Sequence, residues 1–75
     1  MQKIINGYLY DTDTAILLLH DESSDRRYYQ TINNGFFVAY PNGTIQVWTS
    51  DVMKKFLGQK DIAKYIEVFG EPKEG

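Results

Sequence analysis

Lys3-Ile4-Ile5-Asn6-Gly7-Tyr8-Leu9-Tyr10-Asp11-Thr12-Asp13-Thr14-Ala15 is the stretch on which the fold turns. Both central residues of a type I′ turn need positive φ, and Asn-Gly meets that need at low cost. Asn6-Gly7 therefore predicts a hairpin joining Lys3–Ile5 to Tyr8–Tyr10. Directly after it, Asp11 or Thr12 can accept the free N–H groups of a first helical turn. Asp13 adds negative charge near the positive end of a helix dipole. The spelling thus predicts a first helix running through Ala15–Leu19 towards His20. Ile16–Leu19 has no polar break and also fits a short buried strand. The capping residues favour the helix.

Asn-Gly recurs at Asn34-Gly35 and Asn42-Gly43. The first of these predicts a turn between Arg27–Ile32 and Phe36–Tyr40. The second, in Pro41-Asn42-Gly43, predicts a turn between Phe36–Tyr40 and Thr44–Trp48, where Pro41 has no ladder bond to donate. Together they give a three-stranded antiparallel meander. Phe36–Tyr40 is apolar throughout, as a central strand covered on both faces would be. Alternation places Ile45 and Val47 on one face.

Thr49 or Ser50 can cap the next helix, whose Val52, Met53, Phe56 and Leu57 share a face and whose stop is Gly58. The last helix starts at Asp61, carries Ile62, Tyr65, Ile66 and Phe69 at i, i+3, i+4, i+7, and ends at Gly70 and Pro72. Glu71–Gly75 is expected to fray. The expected fold is a small single α+β domain over 1–75: N-terminal β-hairpin, helix, three-stranded antiparallel meander and two C-terminal helices.

The 75 residues allow one domain. No cysteine is present, so disulfides and thiolate zinc sites are excluded. Eleven aromatic residues offer a dense core and also an interface. The N-terminus lacks the apolar segment of a signal peptide, and Ala15–Leu19 is far too short to span a bilayer. A soluble, cytoplasmic protein is expected. Net charge is −2. Residues 1–25 hold Asp11, Asp13, Asp21, Glu22 and Asp25 against Lys3 alone, whereas residues 26–75 hold five acids against seven bases. Such asymmetry either marks a partner-facing surface or describes a solvated loop.

Chemistry finds little to work with. His20 is the only histidine, and as the end of a helix it suits the dipole better than it suits a triad with Asp21 and a nearby serine. Asp11-Thr12-Asp13 begins like a calcium loop, but Ile16 stands where the loop needs glycine. Gly58-Gln59-Lys60 lacks the rest of a phosphate loop. No catalytic residue, cofactor or metal is expected. Arg26-Arg27-Tyr28-Tyr29 is the one hint of nucleic acid, since arginine can hold phosphates and tyrosine can stack bases. Alternation puts Arg26 with Tyr28 on one face and Arg27 with Tyr29 on the other. A pI near 5.1 weighs against general nucleic-acid binding.

Lys3–Ala15 resembles the recurrent start of a family of very small α+β proteins encoded by phages and other mobile elements, some of which are anti-CRISPR proteins. Tyr28-Tyr29-Gln30-Thr31 followed by Gly35-Phe36-Phe37 is similar to a second block of that family, and Phe69-Gly70-Glu71-Pro72 to its closing helix. The resemblance implies a non-enzymatic protein of the host bacterial cytoplasm that binds and inhibits a bacterial defence complex, blocking target DNA recognition by a CRISPR effector. It carries no catalytic residues, and a net charge of −2 does not favour DNA mimicry. The partner implied is a protein, a CRISPR effector subunit, without membrane or direct nucleic-acid binding. Exposed Tyr and Phe on an edge strand would also allow a homodimer. The contact surface is expected to draw on Tyr8, Tyr10, Asp11, Asp21, Glu22, Asp25, Tyr28 and Tyr29. The alternative is a small nucleic-acid-binding regulator using Arg26–Tyr29.

Overall fold

A computed structural model describes all residues, 1–75. Six strands and two helices follow in the order β1 (Gln2–Ile5), β2 (Tyr8–Asp11), β3 (Ile16–Asp21), β4 (Arg26–Gln30), β5 (Phe36–Ala39), β6 (Ile45–Trp48), α1 (Ser50–Lys60) and α2 (Ile62–Phe69). The strands form two antiparallel sheets, a β1–β2 hairpin and a four-stranded sheet in the order β3-β4-β5-β6. No helix is long and apolar enough to cross a membrane.

The expected meander is present as β4–β5–β6, and the expected N-terminal hairpin as β1–β2. Asn6 and Gly7 have φ of 52° and 81°, so this Asn-Gly pair alone takes positive φ at both positions. Asn34 is left-handed while Gly35 is not, and at the last pair only Gly43 is. Those two turns are the longer loops 31–35 and 40–44. They are closed by Thr31 N–H to Gly35 O and by Tyr40 N–H to Thr44 O.

The expected first helix is absent. Ile16–Asp21 is instead the edge strand β3, paired with β4. The polar run before it serves a turn: Asp11 Oδ1 accepts the Asp13 N–H at 2.9 Å, and Asp11 O accepts the Ala15 N–H at 3.0 Å. A carboxylate that bonds its own backbone two residues on looks the same in sequence as a helix cap. The unbroken apolar run has its own cause. Leu17 pairs with Tyr29 and Leu19 with Tyr28, leaving Leu18 as the extra residue of a β-bulge. The bulge turns Leu18 and Leu19 to the same side, where Leu18 is buried and Leu19 half-buried.

The sheet is covered on both faces. Leu18, Tyr28, Phe36 and Val38 meet Met53 and Leu57 of α1, with Tyr65, Val68 and Phe69 of α2 at the margin. Tyr29, Phe37, Ala39 and Ile45 form a second cluster on the opposite face, covered by Ile5 and Tyr10 of the hairpin and by Ala15. All four residues of β5 are buried because alternate ones serve the two clusters. The layers are therefore hairpin, sheet and helices.

Thr49 caps α1, its hydroxyl accepting the Val52 N–H. Asp61 ends α1 through its own N–H to Leu57 O, and its carboxylate caps α2 by accepting the Lys64 N–H. Gly58 does not stop α1, which runs on to Lys60. Val52 and Ile62 stay exposed, so the helices dock through Met53, Leu57, Tyr65 and Phe69.

Candidate functional site

Pairing in β1–β2 places Lys3 opposite Tyr10, Ile4 opposite Leu9 and Ile5 opposite Tyr8. With a period of two, Ile5 and Tyr10 point to the sheet and Ile4 and Leu9 point away from it. Tyr10 stands edge-on to Phe37 with ring centroids 5.6 Å apart. That contact sets the hairpin on the sheet and leaves its outer surface unpartnered, with Ile4 73% and Leu9 54% exposed. Tyr8 shares the Ile5 and Tyr10 face but lies beside the turn, beyond the cover of the sheet, and is 67% exposed. A shallow pocket of about 240 Å³ runs along β2 to the β4–β5 loop, where Ile32 is 76% exposed. Its rim includes Tyr8, Leu9, Tyr10, Thr14 and Ile32.

Asp11 also lines this pocket. It is buried, with Gln2 Nε2 donating to its second carboxylate oxygen at 2.9 Å. The Gln2 bond first, and the Asp13 N–H second, hold its pKa below the ordinary carboxylate value. Both oxygens are thus engaged within the chain, and Asp11 serves the turn.

Asp21, the last residue of β3, and Glu22 and Asp25, in the turn that follows it, lie at the other end of the β3–β4 ladder. Asp21 accepts from the Ser23 hydroxyl at 2.7 Å and from the Ser23 N–H at 3.1 Å. The Ser23 hydroxyl is the larger cause of its lowered pKa. Asp25, with φ of 54°, takes a 2.7 Å contact from His20 Nε2 and lies 3.6 Å from Arg27. The His20 hydrogen bond is the main reason its pKa is lowered, with the Arg27 charge adding to it. His20 is therefore bound to the acidic turn through Asp25. No group of three His, Cys, Asp or Glu side chains is placed to hold a metal ion.

Tyr28 and Tyr29 do not belong to a surface. Tyr28 stacks on Phe56 at 4.2 Å in the helix-side cluster, and Tyr29 stacks on Phe37 at 4.9 Å in the hairpin-side cluster. Their predicted opposite orientation holds, but both faces are covered, so neither ring can meet a partner or a base. Arg26 remains exposed, its guanidinium 5.1 Å above the Tyr40 ring. The eight expected contact residues thus divide three ways: Tyr8 and Tyr10 beside the pocket with Asp11 tied into its wall, the acidic turn at the far end, and two core tyrosines. Ile4, Leu9 and Ile32 were not among the expected contacts, although alternation across Asn6-Gly7 already puts Ile4 and Leu9 together on one face. Comparison of the chain with protein-family models, with curated proteins and with solved structures finds no match.

Proposed function

We propose that this is a non-enzymatic binding protein of a phage or mobile element that inhibits a bacterial defence complex, most specifically a CRISPR effector whose recognition of target DNA it blocks. The binding role rests on one observation, the exposed apolar side chains of the hairpin, Ile4 and Leu9 on its outer face and Tyr8 beside the turn, with Ile32 next to the pocket that Tyr8 and Leu9 line. A small domain that leaves large apolar side chains grouped and unpaired offers a protein-docking surface. The target class rests on the resemblance of Lys3–Ala15 and the later blocks to that family. The acidic turn Asp21, Glu22 and Asp25 is the second contact region.

Recovery by a tagged protein from a lysate containing an active CRISPR effector tests the target. Stoichiometric recovery of an effector subunit is expected, and recovery of no defence component overturns the assignment. Joint replacement Tyr8→Ala and Leu9→Ala should weaken that recovery about tenfold or more, as truncation of central apolar contacts does. Unchanged recovery with a folded variant would remove the hairpin surface from the proposal. The regulator reading is disfavoured by the burial of Tyr28 and Tyr29, which leaves its arginines without a stacking platform.

A further inference from the structure

The three Asn-Gly pairs share a chemistry that the fold distributes unequally. In such a pair the glycine nitrogen can attack the asparagine Cγ. The N–Cγ bond forms, the Cγ–Nδ2 bond breaks, and ammonia leaves with the proton from the glycine nitrogen. Water then opens the cyclic imide at either carbonyl, giving an aspartyl or an isoaspartyl linkage. The only co-reactant is water, and asparagine is among the thermally labile residues for this reason.

Two of the pairs are tied down. The Gly35 N–H donates to the Thr31 hydroxyl at 2.8 Å, and Asn34 Oδ1 accepts from Gln30 at 3.2 Å. The Gly43 N–H donates to Tyr40 O at 3.0 Å, and Asn42 Oδ1 accepts the Thr44 N–H at 2.9 Å. At each of these sites both the nucleophile and the electrophile are held by a hydrogen bond. At Asn6-Gly7 neither group makes one, and both residues are exposed at the tip of a two-stranded hairpin.

We infer that Asn6-Gly7 is the site of spontaneous deamidation in the folded protein, and that the fold protects Asn34 and Asn42. Two hydrogen bonds of ordinary net strength lower the population of an open, reactive form by a factor of about thirty. The product carries a new carboxylate, and in the isoaspartyl form an extra backbone carbon, between Ile5 and Tyr8. The two-residue turn that fixes their pairing cannot close in the same way around a longer backbone.

Incubation of the full chain in mildly alkaline buffer, followed by cleavage after lysine and arginine and mass spectrometry, tests this. The fragment Ile4–Arg26 contains Asn6 and no other asparagine. Its deamidation should outrun that at Asn34 and Asn42 by about tenfold or more. In concentrated denaturant the three sites should converge to within a few-fold. Asn34 or Asn42 converting as fast as Asn6 in the folded protein would overturn the inference. So would an Asn6 that stays intact while it converts in denaturant, or a preference for Asn6 that survives unfolding.

Discussion

Tyr29 and Phe37, facing each other across β4 and β5, stack with centroids 4.9 Å and ring planes 10° apart. Phe37 also receives the edge contact from Tyr10, so one ring links the hairpin to the sheet. Phe37 is fully buried. Phe37→Ala should cost about 3–5 kcal/mol. A domain of this size has roughly 4–11 kcal/mol in total. Urea unfolding followed by circular dichroism should therefore show a midpoint lowered by at least about a quarter. A loss below about 1 kcal/mol would contradict the packing described.

The β-bulge gives a sharper test because it separates neighbours. Leu18 is 5% exposed and Leu17 46%. Leu18→Ala should destabilise by about 2–4 kcal/mol and Leu17→Ala by about 1 kcal/mol or less. Equal losses in denaturant melts would show that the bulge is not placed as described.

Glycine substitutions should have opposite signs at two positions. Gly58 lies within α1, and a Cβ there would rest 3.9 Å from Tyr65 Cδ2, an ordinary contact. Gly58→Ala should stabilise by about 0.5–1 kcal/mol. Gly43 has φ of 89°, so Gly43→Ala should cost about 1–2 kcal/mol despite the open space around it. Thermal melts of the two variants check both signs.

Acid should weaken the fold through identified carboxylates. Asp11, Asp21 and Asp25 all have folded pKa values below their ordinary value. Each therefore contributes stability that is present above the unfolded pKa, near about 4, and is lost as pH falls through the lower folded value. The urea midpoint should fall below that pH, and less steeply in Asp11→Asn. Carboxyl resonances should also show the Asp25 pKa moving up towards its ordinary value in His20→Ala, because the His20 bond is the main cause of its depression.

The turn positions, the caps Thr49 and Asp61 and the core-facing Met53, Leu57, Tyr65 and Phe69 were legible because each reflects a local preference, whereas Gly58 does not stop α1 and Val52 and Ile62 stay exposed. Thr49, Asp61 and Gly70 bound α1 and α2 as their chemistry predicts. The apolar β5 read correctly as a strand covered on both faces. Ile16–Asp21 was misread for two physical reasons. Asp11 and Asp13 spell a turn and a helix start alike, and the bulge at Leu18 removes the alternation that marks a strand. Tyr28 and Tyr29 were offered as contacts because alternation tells which residues share a face but not what covers it. Covering the second face depends on a hairpin folding back over β5, a relation between segments far apart in the chain.

The hairpin is joined to the four-stranded sheet by side-chain packing, since β1 and β2 pair only with each other. It can therefore separate without breaking a strand of the larger sheet. Amide hydrogens of β1 and β2 should exchange with solvent at a free energy below that of global unfolding, while those of β4 and β5 report the whole domain. The proposed docking surface would then also be the part of the molecule that opens first.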